Sequence, residues 1–292
     1  MKIALYARQL SESNHEVANQ LISEILNRGA MPIIYQPLFN QLKQELKNLN
    51  HFELYNSGSE IRGKVDFLFS IGGDGTILDT LTQVQDSGTP VLGINVGRLG
   101  FLSSISKMEI TQCLDALFKG HYTIDKRQLL KLDSSINLFG DVNYALNELT
   151  IHKKDSSSMI IINTFINGEY LNSYWADGLI IATPTGSTGY SLSCGGPIIA
   201  PYSGNFVITP IAPHNLNVRP IVVSDENVIS LEVEGRSQYF IATLDSRSVT
   251  IDSSVSLAIK RSEFTMNLLR IGNDNFLDTL RKKLNWGLDS RN

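Results

Sequence analysis

The sequence predicts a Rossmann-like α/β domain, an all-β, sandwich-like domain, and a C-terminal helix that returns to the first. Three observations predict this. Between residues 3 and 120, short apolar runs alternate with segments whose apolar residues fall at helical spacing, as in a parallel sheet with right-handed crossovers. From about residue 122 the helical spacing stops, and strand-like runs follow one another between turn signals. At the end, Phe276, Leu277, Leu280 and Leu284 with Trp286 resume helical spacing. The expected domains are 1–121 with 273–292 and, inserted between them, 122–272.

In chain order, residues 3–6 read as a strand. Val17, Ala18, Leu21, Ile22, Ile25 and Leu26 form the inner face of a helix that Gly29 ends. Residues 31–34 are a second strand, and Leu38, Leu42, Leu46 and Leu49 place a helix over 36–50. Residues 65–71 are a nearly continuous apolar run, which suits a strand buried on both faces. Ile77, Leu78, Leu81 and Val84 begin another helix, residues 90–95 another strand, and Ile110, Leu114, Leu117 and Phe118 a helix before Gly120.

Beyond lie strands over 129–138 and 144–152, turning at Phe139-Gly140-Asp141, and over 159–166 and 170–175, turning at Asn167-Gly168. Asn-Gly between two such runs signals a hairpin, because a type I′ turn needs positive φ at both positions. Runs at 179–182, 206–211, 221–223, 228–233, 239–244, 249–251, 255–259 and 266–270 continue the series.

Composition narrows the classes. The 292 residues are 42% apolar and 18% charged, as in a globular protein, and the net charge of -4 offers no footprint for nucleic acid. Cys113 and Cys194 belong to no metal-ligand spacing and read as reduced thiols. No signal-peptide pattern opens the chain, and no apolar run approaches the roughly 20 residues a membrane helix needs. A cytoplasmic protein with no membrane partner is expected.

The strand at 65–71 delivers Gly72-Gly73-Asp74-Gly75-Thr76. Such a turn points backbone N–H groups and a helix dipole outward, and glycine lets a phosphate approach closely. Asp74 repels that phosphate unless it handles a proton or a metal ion; capping the helix is the other reading. A hydroxyl deprotonated as it attacks phosphorus explains the carboxylate and the cradle together.

Three further segments stand out. Gly93-Ile94-Asn95-Val96-Gly97-Arg98-Leu99-Gly100-Phe101-Leu102 follows the next strand-like run. It is either a plain loop or a ligand loop at the carboxyl end of a parallel strand, with Phe101 stacking on a ring and Arg98 as a phosphate or structural cation. Asn147-Glu148 interrupts a strand-like run, either as a solvated edge or as a pair that holds a ribose diol. The stretch from Asp177 to Pro197, with Thr183-Pro184-Thr185-Gly186-Ser187-Thr188-Gly189-Tyr190-Ser191, is crowded with hydroxyls and glycines suited to sugar and phosphate oxygens.

These motifs, in this order and approximate spacing from about Phe67 to Arg219-Pro220, resemble the NAD kinases. Gly-Gly-Asp-Gly-Thr alone is shared with diacylglycerol, sphingosine and phosphofructokinases; the Asn-Glu pair and the long hydroxyl loop narrow the resemblance. It implies ATP and NAD as substrates with a divalent cation, Mg²⁺, and Asp74 as the base that activates the 2′-hydroxyl of the adenosine ribose. It further implies that Gly72, Gly73, Gly75 and Thr76 hold phosphates and that Asn147 and Glu148 hold the ribose. Phe101, Thr185, Thr188, Tyr190 and Ser193 would line the dinucleotide site, and Asp177 and His214 would lie near the nicotinamide side or a subunit interface. At position 189 stands Gly where many relatives have Ala. A homodimer or homotetramer built through the β domain is implied. A lipid or sugar kinase with the same turn, and a non-catalytic NAD(P) sensor, are the alternatives.

Overall fold

The computed structural model describes residues 1–46, 51–97, 100–103, 105–155, 158–272 and 275–286. The chain divides into two compact units, Met1–Lys126 with Met266–Asn292, and Arg127–Thr265.

Among the described residues the first unit is built on the parallel strands β1 (Lys2–Tyr6), β2 (Met31–Tyr35), β3 (Glu53–Tyr55), β4 (Phe67–Gly72) and β5 (Val91–Asn95), with the two-residue strand Ile105–Ser106 parallel to β5. Their order is β3-β2-β1-β4-β5, and the end of strand Leu257–Arg270 adds beyond β5 by pairing Leu268 with Val91 in parallel. From β1 the chain winds outward to β3 and returns on the other side at β4. The strand order therefore reverses between β1 and β4, the point where open α/β sheets bind ligands outside the carboxyl ends of their strands.

The apolar runs are buried as their composition requires. Phe67, Leu68, Phe69, Ser70 and Ile71 of β4 and all of β5 are shielded. Helix Glu12–Asn27 adds Val17, Ala18, Leu21, Ile22 and Ile25 to the same core. Each fully buried side chain of this size contributes roughly 1.5–3 kcal/mol. Gly29, at φ +72°, stops that helix and returns its N–H to Leu26.

The helix expected over 36–50 is shorter: Gln36–Leu42 is helical, Lys43 to Leu46 continue as a turn, and Leu49 lies outside the described residues. Helix Gly58–Ile61 has too few residues to show a period; it packs so closely that a β-carbon at Gly58 would strike the Gln83 backbone.

The second unit contains antiparallel sheets. One has the order Ile221–Ser224, Asn205–Ile211, Gly178–Ala182, Glu148–Lys153, Tyr239–Leu244, Arg247–Asp252. Another places Glu169–Ala176, Ile160–Ile166 and Ile229–Gly235 beside Leu257–Arg270. Asn167 and Gly168, at φ +52° and +83°, turn the expected hairpin, with Ile166 opposite Glu169. Leu149, Ile151, Leu179, Ile181, Phe206, Ile208, Phe240 and Ala242 belong to one buried core.

The strand expected over 144–152 is broken. Tyr144–Ala145 and Glu148–Lys153 are separate, because the N–H groups of Leu146, Asn147 and Glu148 all turn to the side chain of Asp245. The hydroxyl-rich loop is also more regular than its composition suggests, with helical turns at Gly186–Thr188 and Tyr190–Ser193.

The terminal helix, Phe276–Leu284, falls in the first unit. Asn275 caps it by accepting the Asp278 N–H, and Leu280 is its buried residue. Leu277 and Trp286 are exposed, so the expected apolar face is narrower than the sequence spacing implied. Among the described residues no helix is long and apolar enough to cross a membrane.

Candidate active site

In the first unit, β4 ends at Gly72, Gly73 takes the N-cap position, and helix Asp74–Val84 begins at once, burying Ile77, Leu81 and Val84. The glycines serve different ends. A β-carbon at Gly72 would collide with the Thr76 side chain, so Gly72 makes room for the helix, whereas Gly73 and Gly75 face open space. Free N–H groups and the helix dipole at those two positions suit an anion.

Asp74 is the first helical residue but does not cap its own helix. Its Oδ2 accepts the Phe101 N–H at 2.7 Å, and its Oδ1 accepts those of Leu102 at 3.1 Å and Ser103 at 3.2 Å, with the Ser103 hydroxyl at 3.4 Å. A β-carbon at Gly100 would fall inside the carboxylate. The loop after β5 therefore wraps the Asp74 side chain and fixes its orientation. Phe101 is half-buried beside it, and Arg98 lies outside the described residues.

Across the strand-order reversal, Arg8 follows β1. It donates from Nη2 to Oδ1 of Asp79 at 2.7 Å, so a largely exposed guanidinium is anchored on a buried carboxylate of the helix that begins at the glycine turn. The sequence gives no local signal for this pair, 71 residues apart.

In the second unit, Asn147 and Glu148 sit where the strand breaks. The reading of this pair as a solvated edge is excluded: Oδ1 of Asn147 and Oε2 of Glu148 are buried and have no hydrogen-bond partner. Such orphaned polar atoms are costly unless a ligand or water meets them. Burial, and secondarily the charge of Asp245, push the Glu148 carboxyl up to about 8, so it carries a proton at neutral pH.

The loop from Thr183 to Ser193 packs against this pair. The Thr183 N–H donates to the Asn147 carbonyl at 2.8 Å and its hydroxyl to the Leu146 carbonyl at 2.5 Å, while Gly186 lies so close that a β-carbon would strike the Asn147 backbone. A β-carbon at Gly189 would stand 3.5 Å from both Asn147 Nδ2 and Glu148 Oε2. Burial raises the Tyr190 phenol, and Cys194, Asp177 and Glu148 act in the same direction, which puts Tyr190 within electrostatic reach of all three.

The remaining expected residues are less concentrated. Thr185 is buried, with its hydroxyl receiving Arg127 Nη1 at 3.4 Å. The Thr188 hydroxyl donates back to the Thr185 carbonyl at 3.2 Å. Ser193 and His214 are exposed; the His214 N–H donates to the Trp175 carbonyl at 2.8 Å. Asp177 is paired with Lys153, Nζ to Oδ1 2.6 Å. Among the described residues no group of three His, Cys, Asp or Glu side chains could hold a metal ion.

Comparison with known proteins gives consistent results. Residues 3–122 match the ATP-NAD kinase N-terminal domain and residues 146–271 the ATP-NAD kinase C-terminal domain. The chain is 46% identical to the NAD kinase of Cytophaga hutchinsonii and 45% identical to that of Flavobacterium psychrophilum, each over 100% of both chains. It is similar to a solved NAD kinase from Archaeoglobus fulgidus in complex with ATP, with a TM-score of 0.74, 27% identity, and coverage of 98% of this chain and 99% of that one. The fold also matches yeast NADH kinase complexed with NADH, with a TM-score of 0.88 at 21% identity over 99% of this chain and 88% of that one.

Proposed function

Because this chain belongs to the NAD kinase family and catalyses the ATP-dependent phosphorylation of NAD, we propose that Asp74 takes the proton of the adenosine ribose 2′-hydroxyl as that oxygen attacks the terminal phosphate, giving NADP. The observation that carries this reading is the fixed Asp74 carboxylate, held by three main-chain N–H groups at the first turn of the helix after β4. Its orientation is set before substrate arrives, and prior positioning is the larger part of phosphoryl-transfer catalysis. Gly73 and Gly75 offer the anion cradle, and Arg8, anchored on Asp79, supplies positive charge at the same end of the sheet.

Asn147 and Glu148 receive hydroxyls of the dinucleotide, a role supported by their orphaned oxygens. Phe101, Thr188, Tyr190 and Ser193 supply ring and hydroxyl contacts, and Thr185 acts through its link to Arg127. A Mg²⁺ would arrive on the nucleotide, held by phosphate oxygens and water, since among the described residues no group of three His, Cys, Asp or Glu side chains could hold one. When bound, it neutralises charge on the triphosphate.

Assembly as a homodimer or homotetramer through the second unit is supported by Tyr170 and Trp175, 58% and 55% exposed on the edge strand Glu169–Ala176. Light scattering reads it, and a fully active monomer would refute it. Two unlinked thiols, Cys113 and Cys194, fit a cytoplasmic setting.

The direct test incubates the purified protein with Mg²⁺, ATP and NAD and reads NADP with an NADP-specific dehydrogenase, alongside Asp74→Asn. Product from the parent and almost none from the variant supports the assignment; equal turnover overturns it.

A further inference from the structure

We propose that Asp245 is a positioning residue for the dinucleotide: through the main chain of Leu146, Asn147 and Glu148 it holds the Asn147 and Glu148 side chains in the orientation that receives substrate. This inference rests on the ribose-binding reading of those two residues and adds to it the group that makes their arrangement possible.

The geometry starts with a hairpin. Strands Tyr239–Leu244 and Arg247–Asp252 close with Leu244 opposite Arg247, and Asp245 opens the turn at φ +52°, a left-handed conformation that Asp tolerates better than most residues. Leu244 also pairs with Leu149 of the neighbouring strand, so Asp245 lies just beyond the last strand pair, where the ladder would otherwise stop. Its own N–H donates to the Glu148 carbonyl at 3.0 Å. Its carboxylate then takes three N–H groups in succession: Leu146 at 2.8 Å on Oδ2, Asn147 at 2.8 Å and Glu148 at 3.1 Å on Oδ1.

Arg247, two residues on, completes the grip. Its guanidinium donates to the carbonyls of Val142 and Tyr144. One hairpin end thus fixes carbonyls with a cation and N–H groups with an anion along 142–148. From the other side, Thr183 and Gly186 close on the same backbone. With the main chain taken from both sides, the buried side-chain atoms of this segment left without partners are Oδ1 of Asn147 and Oε2 of Glu148.

A purely architectural role does not call for a charge here. A neutral side chain could close a hairpin, whereas burial pushes the Asp245 carboxyl up to about 6, so the site opposes the anion that the three N–H groups and Arg247 sustain. The same anion raises the Glu148 carboxyl. The charged and titratable groups that bear on Glu148 are therefore Asp245, with Arg247 behind it, and Tyr190, which Glu148 and Asp177 also influence.

The test compares Asp245→Asn, Asp245→Ser, Asn147→Ala and Glu148→Ala in the full chain, reading kcat, KM for NAD and KM for ATP from pH 6 to 9. Asp245→Ser should raise KM for NAD by about tenfold or more, the order expected when buried N–H groups lose their acceptor, while KM for ATP stays near that of the parent. Asp245→Asn keeps the shape without the charge: the inflection of KM for NAD that belongs to Glu148 should move to lower pH, which a merely structural role would not produce. If Asn147→Ala and Glu148→Ala raise KM for NAD but the folded Asp245 variants leave it and its inflection unchanged, the positioning role is overturned. If Asn147→Ala and Glu148→Ala themselves leave KM for NAD unchanged, the ribose reading fails first.

Discussion

The Oδ2 of Asp74 accepts the main-chain N–H of Phe101 at 2.7 Å, so the carboxylate assigned to catalysis is also the post around which the loop after β5 is wound. The two roles can be separated by substitution. Asp74→Asn retains one acceptor oxygen for the loop, yet kcat should fall by about 10²- to 10⁴-fold, the usual value of a general base. NAD binding, read by titration calorimetry without ATP, should change far less; parallel loss of affinity and turnover would mean that Asp74 acts chiefly through binding.

Gly100→Ala tests the same contact from the opposite side. The added methyl enters the volume of the Asp74 carboxylate and must displace either the loop or the side chain, at roughly 1–3 kcal/mol of overpacking. The expected result is a folded protein with strongly reduced kcat, detected by initial rates beside circular dichroism. Full activity would show that the wrapped carboxylate is not needed for turnover.

The pH dependence of stability has a definite sign. Glu148, held up to about 8, and Asp245, held up to about 6, both lie above the carboxylate range of an unfolded chain. The folded protein therefore keeps protons that the unfolded chain releases, and these two groups make stability fall as pH rises from about 4.5 towards 8. Glu148→Gln removes the upper part of that slope. Urea midpoints at pH 6 and 8 should differ less in the variant than in the parent; an equal difference would place the Glu148 titration elsewhere.

Gly189→Ala should be tolerated. Its methyl would meet the Gly186 carbonyl at 3.2 Å and the polar ends of Asn147 and Glu148 at 3.5 Å, and Gly189 has a negative φ. The turn must yield by a few tenths of an ångström, while the unfolded chain loses freedom worth about 0.4–1 kcal/mol, so thermal stability should change little. With the methyl beside both orphaned oxygens, KM for NAD should move more than kcat. A collapse in thermal stability would show that the loop depends on glycine here.

Much of this organisation is legible in the sequence because it is local. The alternation of strand and helix up to Gly120, the glycine turn after β4 and the Asn167-Gly168 hairpin each depend on residues within a few positions of one another. What the sequence hides is held over long separations. That Asp74 is not a cap is decided by N–H groups 27 to 29 residues away, and the break at Leu146–Asn147 is made by Asp245, 97 to 99 residues on. A run such as Tyr144 to His152 has the composition of one strand, and no local rule reveals that a distant carboxylate claims three of its N–H groups. Arg127 on Thr185 is the same kind of relationship, a buried side chain whose hydroxyl is already engaged.

The pairing of Leu268 with Val91 bears on how the protein is made. When β1 to β5 have left the ribosome, all of Arg127–Thr265 is still to be synthesised before the strand that joins Val91 exists. At about 5–20 residues per second, that end of a fully buried strand waits on the order of ten seconds without its neighbour. The nascent chain thus presents an apolar sheet edge while Arg127–Thr265 is made, where chaperone binding would protect it. Messages truncated before Met266 would yield products prone to self-association rather than a smaller, folded domain.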